Sequence, residues 1–339
     1  MTTHPMTTHP LPGRDRLLSG ITPSGSLTLG NYLGALRRFR DAQDDAFYVV
    51  ANLHALTTAH DPQQLRQRTM STAALFFASG LDPDRATVFV QSDVPAHVEL
   101  GYLLECVAYV GELGRMIQFK EKGGQPRTRA SLFTYPCLMA ADILLYEAVR
   151  VPVGGDQSQH VELARDVAIR FNGLYGPTFV VPELAAAPAA ARVRDLADPA
   201  RKMSKSAPDD AAGVIRMLDR PDVIRRKIQR AVTDGDGRMV YDPDAKPGLA
   251  NLAEILGALT GQAPAEAMSG YGRYGDLKSA CADAVVDALD PVRRRHDQLM
   301  GDVDELTALL ARGAQRAAEV ADRTLGRARA AIGLVGARR

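Results

Sequence analysis

Residues 19–36, SGITPSGSLTLGNYLGAL, decide the fold. The short apolar run Leu17-Leu18-Ser19-Gly20-Ile21 enters the stretch as a strand. Thr22-Pro23-Ser24-Gly25 then ends it, because proline presets one backbone angle and Ser and Gly favour turns. From about Gly30, Leu33, Leu36 and Phe39 recur every third residue, which is the period of a helix with one buried face. A strand, a tight turn and a helix N-terminus in that order let backbone N–H groups meet a phosphate. Gly25 and Gly30 permit close backbone approach, and Thr28 and Asn31 can offer hydrogen bonds to phosphate or ribose. The turn holds neither GxxxxGK[ST] nor GxGxxG, which excludes a P-loop and an ordinary dinucleotide site. A plain βα turn is the other reading of this stretch taken alone.

The alternation continues outward. Phe47–Ala51 and Ala86–Val90 read as strands. Between them, Asp61 and Pro62 open a helix as N-cap and first-turn proline, and Gly80 closes it. A long helical stretch, broken by the polar segment 121–129, runs to about Glu147. Val149–Val153 is the next strand, and a helix from about Asp156 to Asn172 follows, with Gly173 as its cap. Strands alternating with helices predict an α/β fold with a Rossmann-like parallel sheet and right-handed crossovers. Beyond about Pro221 only helical periodicity remains, at 223–232, 249–259, 278–300 and 303–332. The expected organisation is a disordered tail at 1–13, an α/β domain at 14–206 and an all-helical domain at 207–339, with the last helix returning to the α/β domain.

A length of 339 residues suits two domains, and 46% hydrophobic content is enough for a sizeable core. Lys plus Arg number 41 against 40 for Asp plus Glu, which excludes general polyanion binding through net charge but leaves room for a local basic face. Arg225, Arg226, Lys227 and Arg230 form one such group and Arg293–Arg295 another; each can equally be a solvated helix face. Cys106, Cys137 and Cys281 show no CxxC or Cys/His ligand spacing, so the expected setting is reducing and cytoplasmic, with no bound metal. No apolar run approaches the roughly 20 residues of a membrane span. The repeated MTTHP at the N-terminus is not a secretion signal.

Three further stretches can carry chemistry. Val153-Gly154-Gly155-Asp156-Gln157 follows a strand and opens a helix, so its glycines could bring backbone close to a ribose; an N-cap Asp156 is the structural alternative. In an open α/β sheet ligands bind beyond the strands' carboxyl ends, which is where both this turn and the first one fall. TYPCLMAADILLYEA, residues 134–148, is apolar on nearly every side and should be a buried helix starting at Pro136. Asp142 in its middle needs partners, because a bare buried carboxylate is expensive. It is either a structural acid or an acceptor for one ligand N–H. Finally, DPARKMSKSAPDD, residues 198–210, is too polar and proline-flanked to pack, and reads as an exposed, mobile loop. Lys202 and Lys205 on such a loop could close on transferring phosphates.

Together these pieces resemble a class I aminoacyl-tRNA synthetase, specifically the bacterial tryptophanyl-tRNA synthetases. KMSKS at 202–206 matches the class signature letter for letter, and Thr28-Leu29-Gly30-Asn31 stands where the degenerate HIGH signature belongs. Further matching runs are QSDVPAH at 91–97, GELGRMIQFKEK at 111–122, YPCLMAADILLY at 135–146, DQSQHVELARDVAIRFN at 156–172 and AVTDGDG at 231–237, so the resemblance spans about 16–335.

The resemblance implies that Thr22, Pro23, Ser24, Gly30 and Asn31 contact ATP, with Thr28 and Asn31 in the catalytic signature. Gly154, Gly155 and Asp156 would lie at the adenosine, with Val193 near adenine. Lys202, Met203, Ser204, Lys205 and Ser206 would hold the pyrophosphate, Lys202, Lys205 and Ser206 as catalytic groups. Asp142 would accept the indole N–H of tryptophan, and Met139, Tyr135, His54 and Gln157 would line that pocket. It also implies ATP with magnesium, a tRNA for tryptophan read by the helical domain, and a homodimer formed through the insertion in the α/β domain.

The chain departs from the family pattern at three places. Thr22 stands where a glutamine is usual, Leu18 where a phenylalanine is frequent, and Gly155 where a glutamate is usual. Thr22 removes an amide expected near the substrate, so tryptophan affinity and inhibitor response are expected to differ. The implied reaction is ATP-dependent activation of tryptophan followed by transfer to tRNA. The alternatives are a tyrosine-specific relative, a catalytically weak or inhibitor-resistant paralogue with a regulatory role, and a small-molecule adenylyl transferase.

Overall fold

The computed structural model of the chain describes residues 14–153, 158–186 and 193–335. Five strands form one parallel sheet: β1 Arg14–Ile21, β2 Ala46–Val50, β3 Ala86–Val90, β4 Ala148–Val153 and β5 Glu183–Ala186, in the order β3-β2-β1-β4-β5. β5 escaped the sequence reading, because four residues rich in alanine carry no strand period. The chain builds outward from β1 on one side and then restarts on the other. β1 and β4 are therefore the strands between which the order reverses.

Beside two short 3-10 turns at His54–Thr57 and Gln91–Asp93, the described residues form twelve helical segments. They are α1 at residues 29–41, α2 Pro62–Ala78, α3 Ala96–Glu105, α4 Val110–Leu113, α5 Ile117–Lys122, α6 Ser131–Leu145, α7 Ser158–Tyr175, α8 Pro221–Gln229, α9 Pro247–Thr260, α10 Pro264–Ser269, α11 Tyr274–Gly301 and α12 Val303–Ala331. Tyr32–Leu36 within α1 is wound as a π-helix. Asp61 caps α2 as expected, accepting from the Gln64 N–H at 2.8 Å.

Two expected boundaries shift. Pro136 lies inside α6, not at its start. A proline there removes the helical donor for the Leu132 carbonyl, and the helix persists because it is buried on nearly every side. α7 runs through Gly173 to Tyr175, where the Tyr175 ring packs on Phe171 one turn earlier. The chain turns left-handed only at Gly176, φ 90°, a conformation glycine adopts without a Cβ clash.

Alternate residues of the central strands feed two cores. Tyr48, Val50 and Val88 face a core shared with Phe76 of α2 and with Leu252 and Val285 of the helical region. Phe47, Val49 and Phe89 face the other core, with Leu104, Leu144 and Phe171 of α3, α6 and α7. The helical region thus packs directly against one face of the sheet. α12 links the two: its Leu306 and Leu310 lie in the first core and its Ala317, Ala321 and Ala328 in the second. It runs along β3 and covers that edge strand.

Candidate active site

Because the sheet order reverses between β1 and β4, a crevice opens beyond their carboxyl ends. There lies a cavity of about 1000 Å³ whose walls include Thr22, Ser24, Asn31, Tyr135, Asp142 and Lys205.

One end of the cavity is suited to phosphate. The Ser24 N–H donates to the Thr22 carbonyl at 2.9 Å and shapes the turn after β1. Pro23 is buried and Ser24 exposed. Thr28 is 1% exposed; its N–H and hydroxyl both donate to Asn31 Oδ1, at 3.0 and 3.1 Å. Thr28 therefore orients Asn31 and starts α1, while Asn31 reaches the cavity wall. A side chain at Gly30 would meet Val193, its Cβ 3.6 Å away, with the Met203 carbonyl 3.9 Å away. The Met203 N–H donates to the Val193 carbonyl at 3.1 Å, so these three residues pack together beside the cavity without lining it, Val193 and Met203 within the first core.

The 198–210 loop is better packed than its composition predicts. Met203 is buried in the first core, which corrects the expectation of an unpacked loop; its apolar side chain outweighs its polar neighbours. Lys205 Nζ donates to the Thr22 carbonyl at 2.8 Å, and burial pulls this ammonium down to about 8. The Ser204 and Ser206 hydroxyls lie 2.8 Å apart, and the Ser206 N–H donates to Ser204 Oγ. Lys202 is exposed, its backbone bridged to Arg194.

The other end is built around Asp142. The carboxylate is 6% exposed and takes three donors. His97 Nδ1 lies 2.6 Å from Oδ1, His54 Nε2 lies 2.7 Å from Oδ2, and Gln91 Nε2 lies 2.8 and 3.0 Å from the two oxygens. Burial alone would raise the carboxyl; the charges and hydrogen bonds of His54 and His97 overcome that and hold it well below the usual carboxylate range. Met139 and Ile143 give the cavity an apolar wall beside it. The Tyr135 hydroxyl lies 2.7 Å from His160 Nε2, and burial raises that hydroxyl to about 12.

The sequence reading had not assigned Gln91, His97, Tyr146 or His160. Each lies in a run already quoted for its resemblance, which was the available signal. Gly154, Gly155, Asp156 and Gln157 lie outside the described residues.

Residues 13–290 match the family described as tRNA synthetases class I (W and Y). The chain is 52% identical over 328 residues to the tryptophan–tRNA ligase 1 of Streptomyces coelicolor, covering 94% of this chain and 97% of that one. It is 49% identical over 332 residues to the tryptophan–tRNA ligase of Corynebacterium glutamicum, covering 96% of each. Among solved structures, the Mycoplasma pneumoniae tryptophanyl-tRNA synthetase superimposes with a TM-score of 0.85 at 35% identity, covering 95% of this chain and 98% of that one. The Campylobacter jejuni tryptophanyl-tRNA synthetase, solved with ADP and tryptophan, gives 0.81 at 32% identity, with 94% and 100% covered.

Proposed function

The chain belongs to the class I tRNA synthetases for tryptophan and tyrosine, and from that premise we infer that it is a tryptophan–tRNA ligase: it activates L-tryptophan with ATP and transfers it to the tRNA for tryptophan. The observation that carries this reading is that Asp142 and Lys205 open onto one cavity, an indole acceptor at one end and a phosphate cation at the other.

In the first step the tryptophan carboxylate attacks the α-phosphorus of ATP. An O–P bond forms, the bond to the bridging oxygen breaks, and pyrophosphate leaves with its electron pair. The substrate supplies the nucleophile, so the protein's work is to position the reactants and stabilise charge. Lys202 and Lys205 neutralise the departing pyrophosphate, and the Ser206 hydroxyl donates a hydrogen bond to it. Ser24 and Asn31 meet the phosphates and ribose, with Gly30 beside them and the backbone at Val193 close to adenine. Magnesium carried by the ATP would add positive charge where the pyrophosphate departs. In the second step a ribose hydroxyl of the tRNA's terminal adenosine attacks the acyl carbon and AMP leaves.

Specificity rests on Asp142. The indole N–H takes Oδ2 from the cavity side, where His54 is the more exposed of the two histidine partners, its side chain 14% accessible against 0% for His97. A substrate without that N–H forgoes a charge-assisted bond to this buried carboxylate, and sites built on such a hydrogen bond reject analogues that lack it by roughly 10⁴-fold.

The remaining features fit the same reading. Residues 14–206 form the catalytic unit and the helices beyond it read the tRNA anticodon. The functional form is a homodimer. Its interface is the face of α3 and α4 where Val98, Tyr102, Tyr109 and Val110 stand 55–74% exposed. The enzyme works in the cytoplasm beside its tRNA.

Amino-acid-dependent ATP–pyrophosphate exchange tests the central claim. Exchange with tryptophan and not with tyrosine is expected. Exchange with tyrosine alone, or with neither, overturns it.

A further inference from the structure

Arg216 is a buried cation that the catalytic reading leaves without a task. It is 6% exposed. Its backbone is pinned to the start of α1: the Leu29 N–H donates to the Ile215 carbonyl and the Met217 N–H to the Leu27 carbonyl, both at 2.9 Å. From this fixed base its guanidinium meets four backbone carbonyls. Nη1 donates to Ser26 at 3.1 Å and to Lys205 at 3.3 Å; Nη2 donates to Ala207 at 2.6 Å and to Pro208 at 3.1 Å. Ser26 belongs to the turn after β1, and the other three belong to the lysine loop.

The nearby acid is already engaged. Asp219 Oδ2 accepts from Lys227 Nζ at 2.7 Å and from the Arg216 backbone N–H at 2.9 Å. The guanidinium is thus compensated by carbonyl dipoles from two segments that also come into backbone contact. A Cβ added at Gly25 would lie 2.4 Å from the Lys205 carbonyl. Two carbonyls on each terminal nitrogen suit a planar fork and not the single ammonium of a lysine.

We propose that Arg216 is a positioning residue for adenylate formation: its guanidinium staples the 205–208 segment to the Ser26 end of the phosphate-binding turn, so that Lys205 is held in register before ATP arrives. The inference rests on the assignment of Lys205 to the pyrophosphate. It goes further in naming what places that lysine, a residue outside the signature that touches no substrate atom.

The test uses the full-length chain and two variants, Arg216→Lys and Gly25→Ala, which loosen the same junction from opposite sides. Three quantities are compared with wild type: the rate of tryptic cleavage after Lys205 in the free protein, the kcat of ATP–pyrophosphate exchange, and tryptophan binding. The last can be followed by the ligand's own fluorescence, because the chain contains no tryptophan. Expected are cleavage about tenfold faster, as the open loop gains population, and a kcat lower by roughly 100-fold from misplacement of one catalytic group. Tryptophan binding should stay within about twofold, since the Asp142 end is untouched. If Arg216→Lys fails to fold, Gly25→Ala carries the same expectation alone. Wild-type cleavage and wild-type kcat in a folded variant overturn the proposal, and so does a loss of tryptophan binding as large as the loss of kcat. The wild-type exchange rate reports on the functional assignment and the protease rate on the staple, so the two can fail separately.

Discussion

His97 Nδ1 lies 2.6 Å from Asp142 Oδ1, and its other nitrogen lies 2.8 Å from the Tyr146 hydroxyl, with the histidine fully buried between them. A carboxylate can only accept, so Nδ1 carries the proton toward Asp142. The pair fixes the orientation of the acid proposed to accept the indole N–H. It also turns a costly buried charge into a satisfied one.

The first prediction concerns this pair. Asp142→Ala should abolish most tryptophan activation, lowering kcat/KM in the exchange assay by roughly 10⁴-fold. His97→Phe keeps the acid but removes one charge-assisted bond, and should lower kcat/KM by about 10–100-fold. Unchanged kinetics in Asp142→Ala would remove the residue from the indole site.

The second concerns pH. Burial depresses the Lys205 ammonium to about 8, below the ordinary lysine value. In the free enzyme the clamp is therefore charged below that pH and loses its charge as pH rises through it. The pH profile of kcat/KM for ATP should fall above pH 8 or so, in step with that titration. Arg216→Lys should lower the plateau and move that fall upward, because a loosened Lys205 loses the burial that depresses it. Lys205→Arg should shift the fall upward, because a guanidinium stays charged throughout. A profile that stays flat to pH 10 in wild type contradicts the assignment.

The third concerns Thr22, where the resemblance to the family leads one to expect glutamine. Thr22→Gln restores an amide at the cavity wall, where one added hydrogen bond is worth about 1 kcal/mol. A tryptophan-like competitive inhibitor should bind the variant about fivefold to tenfold more tightly. Identical inhibition constants for the two proteins would sink the idea.

The fourth concerns assembly. Tyr102→Asp together with Val110→Asp puts two charges on the exposed apolar face of α3 and α4. Burying unpaired carboxylates is costly, so the proposed dimer should weaken by at least about 100-fold in sedimentation equilibrium. A wild-type chain that sediments as a monomer at micromolar concentration overturns the interface.

Much of this protein was legible along the chain. The strand–turn–helix at 19–36, the repeats of that alternation and the helical periodicity beyond 221 are set by backbone and side-chain preferences a few residues apart, and sequence displays them directly. The burial of Asp142 followed from the apolar helix around it, and the two lysines followed from a contiguous motif. The partners of these groups were not legible. Gln91 and His97 reach Asp142 across 51 and 45 residues, through the packing of α3 and α6 beyond β3. Lys205 meets the Thr22 carbonyl across 183 residues. Arg216 carries no local mark at all. Beside Asp219 and Arg220 it reads as one more solvated charge, and only the antiparallel pairing of 215–217 with 27–29 buries it beneath the loop. Sequence alone determined which elements form and which residue types could do chemistry. Tertiary structure decided which of them meet, because a hydrogen bond acts over about 3 Å in space and is indifferent to separation along the chain.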